Sequence, residues 1–437
     1  MISVRLIAVI GKFCSMVLAL ATSFLIVYRL SPELQGYYYT FASFGALIAF
    51  FDLGLGIIIV SHCSQEWAIL GSSNGRLINT NESQLLKLGS LIRFFMRWYA
   101  ISSLALALSF IAIGIIFFGY KNINHNVNWL YPWVILSIGS GIGLYLSSIL
   151  TILEGCNQLI WVYSLRLFHI FMSNFIIWIL LYYGYELWSI GIGLIISSII
   201  ILIIIYIKFY YFFREFFNVK KIQISWKEEI FPMQWRLSLS WLSGYLAFSL
   251  FVPVLFQFKG PVIAGQMGFS WNFIGAITAF TSVILAVKAP SLGMEIANNN
   301  VEKIKKIMKS LVLESAIISI GMGVVVIAML TFVDLMGLGI GSRLLSMGVF
   351  IYFIGAAILI SLSFPFSIYM RAHKEEPGAW ISLAQGILVA TAIMVIGRFY
   401  SLELLAQTYF LIMFCSLPFT IYLYLKKKTY WYDKKNY

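Results

Sequence analysis

A chain of 437 residues that is 61% hydrophobic and only 11% charged, with a mean hydropathy of +0.91, is not a soluble domain, in which about a quarter of the residues carry charge. Its net charge of +13 raises nucleic acid as a partner, but the Lys and Arg residues lie between apolar runs instead of forming one patch, which is the pattern of a membrane topology signal and excludes nucleic acid. No polar stretch much longer than Ser61 to Arg93 interrupts those runs, so a folded catalytic domain outside the membrane has no room and the chain reads as a non-enzyme.

A bilayer-spanning helix needs ~20 mostly apolar residues. The runs predict an all-α polytopic membrane protein of about twelve transmembrane helices, at 6–28, 37–60, 95–118, 131–153, 162–183, 188–210, 237–258, 264–287, 310–333, 346–370, 379–397 and 404–425. The first run, Leu6 to Tyr28, is long for a signal peptide, carries Lys12 and leads straight into the second, so it reads as an uncleaved helix. Alternating sides along these spans puts 24 of the 30 basic residues on one face of the membrane, and only Arg29, Lys121, Lys259, Arg343 and Arg398 on the other. The positive-inside rule then makes both termini cytoplasmic.

The charge-rich segment from Phe209 to Arg236 divides the chain. The expected organisation is an N-terminal six-helix bundle over 1–215, a cytoplasmic linker over 216–236 and a C-terminal six-helix bundle over 237–437 that ends in a basic tail. A shift of 230 residues aligns Gly45-Ala46 and Ala49-Phe50 with Gly275-Ala276 and Ala279-Phe280, sets Arg29 opposite Lys259, and leaves Pro32 and Pro261 one residue apart. Six spans being an even number, the halves run the same way, as in the parallel repeats of transporters.

A charge at the centre of a span costs at least ~2.5–3.5 kcal/mol, so each is a functional candidate. Lys12 and Asp52 lie about two turns inside their helices at similar depth, where they either neutralise one another or line a hydrated cavity. Ser15, Thr22 and Arg29 recur at sevens with Lys12 one turn from Ser15, a polar stripe that should face protein or water. Arg166, His169 and Ser173 share one face of the fifth span, and His169 is either a packing residue or a group that titrates during transport. The seventh and eighth spans carry Ser238, Ser240, Ser243, Tyr245, Ser249 and Gln257, then Gln266, Ser270, Trp271, Asn272, Thr278, Thr281 and Lys288. Those groups serve as interhelical glue or as a sugar-binding wall of aromatic faces and amides, with Pro253 and Pro290 expected to kink or end the helices.

Other features point elsewhere than to a site. Gly139-Ser140-Gly141-Ile142-Gly143 lies within a span without a following Lys-Ser or Lys-Thr and reads as close helix packing instead of a phosphate loop. The sequon Asn81-Glu82-Ser83 falls on the cytoplasmic side, and Lys426-Lys427-Lys428 anchors the last helix against headgroups. Cys14, Cys63, Cys156 and Cys415 form no CxxC pair, so no disulfide framework or zinc site is implied. No catalytic Ser/His/Asp set, metal cluster or cofactor is indicated.

The segment RLSPELQGYYYTFASFGALIAFFDLGLG, Arg29 to Gly56, with DLGLG following SPE-x-x-G-x-Y, resembles the opening of polysaccharide flippases of the Wzx type. These belong to the MOP superfamily with the MATE transporters and the lipid II flippase. The likeness extends through the connections ISSLALAL, LSSILTILEGCNQ and PFSIYMRAHKEEPG. It implies a V-shaped pair of six-helix bundles around a cationic cavity in the bacterial inner membrane, carrying undecaprenyl-diphosphate-linked O-antigen units outward, with membrane lipids and an O-antigen polymerase and chain-length regulator as partners. Under that resemblance Lys12 and Lys288 meet the diphosphate from the cytoplasmic side, Arg29 and Lys259 await it on the periplasmic side, and Arg166, Asp52, Trp271 and Asn272 belong to the cavity. Proton coupling falls to Asp52 or His169. The rivals are a MATE-like exporter of cationic drugs, which wants acidic groups where Asp52 alone lies deep and Glu154, Glu295 and Glu314 lie near span ends, and an O-antigen polymerase or ligase, which wants a large periplasmic loop.

Overall fold

A backbone that crosses hydrocarbon must satisfy its own polar groups, so long apolar runs become helices. The computed structural model describes residues 2–52, 54–70, 72–73, 76–77, 82–119, 127–217, 234, 244–335, 339–373 and 378–433. Among these the chain is all-α, apart from a two-residue antiparallel ladder of Ser72–Ser73 with Arg76–Leu77. The helices are α1 (Ile2–Arg29), α2 (Pro32–Phe44), α3 (Ile48–Asp52), α4 (Leu55–Leu70), α5 (Glu82–Gly119), α6 (Leu130–Gly155), α7 (Leu159–Tyr182), α8 (Trp188–Phe217), α9 (Phe251–Lys259), α10 (Pro261–Ala297), α11 (Val301–Leu335), α12 (Met347–Ala372), α13 (Ala379–Phe399) and α14 (Leu402–Asp433).

Ten of these are long and apolar enough to cross a membrane, and the pair Pro32–Asp52 with Leu55–Leu70 adds an eleventh as one span bent by 45°. The protein is a multi-pass membrane protein. The seventh expected span, 237–258, is described from residue 244 onward, as a helical stretch over 244–248 followed by α9. Ser238, Ser240, Trp241, Ser243, Lys121, Lys374, the sequon residue Asn81 and nearly all of the 216–236 linker lie outside the described residues.

The second expected span, 37–60, falls within this bent pair. It breaks after Asp52, where Gly54 takes φ +71°, a left-handed conformation that glycine adopts at no steric cost. Pro290 does not end its helix, since α10 continues through it to Ala297.

The chain forms two compact units, one of residues 1–30 with 41–241 and the other of residues 31–40 with 242–437. In the first unit α6 packs against α4, α5 and α8, and α7 lies against α1 and α8. Two thirds of the most apolar window of α6, 67%, is buried, which makes it the central helix. Its glycines allow this, for a Cβ on Gly141 would come within 2.8 Å of the Ser103 carbonyl oxygen, and one on Gly139 within 3.2 Å of that of Gly191. Trp133 of α6 sits among Phe41, Phe44, Phe110 and Phe118 and donates its indole N–H to the Phe110 carbonyl at 2.7 Å, the partner that a buried N–H requires.

In the second unit α10 packs on α9, α11 and α12, α14 packs on α12 and α13, and Leu285, Leu292, Met308, Leu311, Tyr369 and Trp431 share one core. The start of α2 belongs here. Gly36 lies so close to α10 that a Cβ would collide with the Pro261 carbonyl, and the buried Gln35 donates its amide N–H to the Gly265 carbonyl at 3.0 Å. Gln35 and Gly265 are 230 residues apart, so this crossing joins segments distant in the chain.

Candidate functional site

In the first unit the polar stripe of α1 meets one face of α7. Thr22 donates to the Asn174 amide oxygen at 2.8 Å and accepts from the Trp178 indole N–H at 2.7 Å. The Arg29 guanidinium lies 4.5 Å from the centre of the Tyr182 ring, a cation–π contact that leaves its charge unneutralised. Asn174, Trp178 and Tyr182 follow one another at four-residue steps, so a single helical face meets the whole upper stripe. Lys12, lower on α1, is exposed and makes no ion pair among the described residues.

Of the two readings open for Lys12 and Asp52, mutual neutralisation is not formed. Asp52 instead accepts the Tyr99 O–H at 2.5 Å and backbone hydrogen bonds from Gly54 and Gly56, at the start of α4. A carboxylate there satisfies amides that open a helix and complements the positive end of its dipole.

Arg166 is also placed differently from expectation. Its guanidinium holds the Glu154 carboxylate at 2.8 Å, and the Tyr163 hydroxyl donates to the same carboxylate at 3.1 Å, so its charge is spent locally across the tight turn between α6 and α7. His169 faces α8, with its Nε2 3.2 Å from both the Ser197 and Ser198 hydroxyls.

In the second unit Lys288 of α10 forms an ion pair with Glu314 of α11 and donates to Ser310 at 2.8 Å, while Ser310 donates to Glu314 at 2.7 Å. Lys288 is thus a closed pair rather than a free cation. Trp271 packs on Phe251, Phe353 and Tyr409, with ring centres 4.8, 5.7 and 6.0 Å away, which makes it part of an aromatic core before it is a sugar platform. Its neighbour Asn272 is half-buried on α10. Lys259 closes α9 ahead of Gly260, at φ +92°, and is half-buried with no ion pair among the described residues.

None of the ion pairs among the described residues joins two of the expected site residues. The side chains that sequence reading missed are their partners, Tyr99, Glu154 and Glu314. A signal existed for two of them: Glu154 and Arg166, and likewise Lys288 and Glu314, flank tight turns that make their helices antiparallel neighbours. Of the cations expected at the site, Lys12, Arg29 and Lys259 enter no ion pair among the described residues, whereas Arg166 and Lys288 do.

The fold is that of the MATE-like transporters of the MOP superfamily. The chain is similar to an inward-facing multidrug resistance MATE transporter of that superfamily, with a TM-score of 0.66 at 12% identity over 96% of this chain and 99% of that one. It is similar to the lipid II flippase MurJ in an inward closed conformation, with a TM-score of 0.57 at 15% identity over 95% of this chain and 87% of that one. A third similar structure is a MOP-superfamily transporter from Pyrococcus furiosus described as having a binding pocket of reverse polarity, with a TM-score of 0.56 at 13% identity over 98% and 96% of the two chains. The sequence matches no protein-family model and no curated protein.

Proposed function

We propose that the protein is a flippase that moves undecaprenyl-diphosphate-linked O-antigen units from the cytoplasmic to the periplasmic leaflet of the bacterial inner membrane by alternating access, with both termini cytoplasmic. The observation that carries this reading is how the charged residues expected at the site are partnered. Glu154 and Glu314 are taken by Arg166 and Lys288, Asp52 is held by Tyr99, and Lys12, Arg29 and Lys259 keep positive charge without a carboxylate partner among the described residues. Such a set fits a cargo that brings its own negative charge. A diphosphate bearing sugars cannot cross hydrocarbon unaided, so the protein supplies cations and hydrogen bonds while the polyprenyl tail stays in lipid.

Each negative charge carried outward is favoured by ~2.3 kcal/mol per 100 mV of inside-negative potential. Exchangeable protons at Asp52–Tyr99 and at His169 with its two serines offer a second source of drive. The fold is shared with multidrug transporters, but export of cations calls for free carboxylates in the cavity, and Asp52, Glu154 and Glu314 are each engaged.

Deleting the gene and restoring it from a plasmid tests the reading. Loss of surface O-antigen with single lipid-linked repeat units accumulating on the cytoplasmic leaflet is the expected result. Normal surface polymer with altered sensitivity to cationic compounds overturns it in favour of drug export.

A further inference from the structure

On the second unit a groove of about 480 Å³ opens between α11, α12 and α14, a volume in the range of small-molecule sites. Lys305, Lys309 and Lys428 stand along it, and Val312, Leu313 and Ala316 continue the α11 wall. On α11 those positions run at i, i+4, i+7, i+8 and i+11, which is one helical face, basic at its start and apolar beyond. From Lys305 to Ala316 the face rises about 16 Å, close to half the ~30 Å hydrocarbon core of a bilayer. Tyr369 and Tyr424 form the floor, both buried in the core of the unit.

Among the described residues no carboxylate lines the groove. The ion pairs of α11 are Lys303–Glu295 and Lys288–Glu314, and they leave Lys305 and Lys309 outside. Lys428 lies 5.8 Å from the centre of the Tyr424 ring and enters none of the ion pairs among the described residues. Three ammonium groups beside an apolar trough one leaflet long complement a molecule with an anionic head and a hydrocarbon tail.

We propose that this groove is a binding site for an anionic phospholipid of the leaflet that the Lys426–Lys428 end of α14 reaches. The phosphate sits among Lys305, Lys309 and Lys428, and one acyl chain lies along Val312, Leu313 and Ala316. The site is separate from the charges invoked for transport, and its failure would leave the export reading untouched.

The test uses the full chain purified in mild detergent with an equimolar mixture of phosphatidylglycerol and phosphatidylcholine, followed by native mass spectrometry of retained lipid. The expected result is retention of phosphatidylglycerol over phosphatidylcholine by at least about tenfold. That preference should vanish in Lys305→Gln/Lys309→Gln/Lys428→Gln, while Ala316→Trp, which fills the trough with the lysines intact, should lower retention of both lipids. Equal retention of the two lipids by the unaltered protein overturns the proposal without reliance on any variant. So does a polyprenyl phosphate that displaces phosphatidylglycerol at equal concentration, since the groove would then belong to the cargo's tail.

Discussion

Asp52 and Lys288 are the two residues whose meaning changed most between sequence and structure. Asp52 was open to Lys12, and its partner is the Tyr99 hydroxyl at 2.5 Å. Tyr99→Phe removes that donor from a half-buried carboxylate, and the expected loss is about 1–3 kcal/mol of stability, read as a lowered melting temperature in detergent. An unchanged melting temperature would show that the backbone bonds of Gly54 and Gly56 suffice. For Lys288 and Glu314 the right experiment is a double-mutant cycle with Lys288→Met, Glu314→Leu and the pair together. A coupling of about 0.5–3 kcal/mol is expected, and the double variant should retain O-antigen export where it is stably folded. Loss of export in a stable double variant would return Lys288 to the cargo site.

At the scale of the element, α2 carries the clearest link between motif and packing. The run SPELQGYY puts Pro32 at the first position of the helix, Gln35 on the Gly265 carbonyl and Gly36 against Pro261. The following DLGLG supplies Gly54 for the bend that joins α3 to α4. Helices in lipid associate through close packing and hydrogen bonds, not through hydrophobic burial, so a residue without a side chain at a crossing matters more than a large one. Gly36→Leu should therefore lower the monodisperse membrane yield sharply, overpacking costing about 1–3 kcal/mol or more. A yield equal to that of the unaltered protein, measured by fluorescence-detected size exclusion, would mean that the crossing can spread without penalty. The polar stripe of α1 was legible as a stripe from its seven-residue spacing, but its acceptor, α7, was not, because periodicity defines a face and not the neighbour that covers it.

For the molecule as a whole, the charges divide into those neutralised within a unit and those left over. Lys12→Ala, Arg29→Ala and Lys259→Ala should each lower surface O-antigen about tenfold, the equivalent of about 1.4 kcal/mol of lost stabilisation, at unchanged membrane levels. Arg166→Ala should act chiefly on stability, because its charge is already held by Glu154. Normal export in all three of the first set would remove the cationic-cargo reading.

Composition and hydropathy sufficed for the all-α polytopic class and most of the span positions, while the MATE-like architecture was an expectation from the resemblance of the Arg29 to Gly56 segment. In hydrocarbon a continuous apolar run of ~20 residues satisfies its own backbone as a helix, and the lengths of such runs are written locally. The tight turns mark in the sequence which helices are neighbours, but which intramembrane charges meet was decided by the tertiary structure. An ion pair depends on the rotation and depth of two helices relative to one another, and residues such as Glu154 and Glu314 look peripheral until the neighbouring helix brings Arg166 and Lys288 to them.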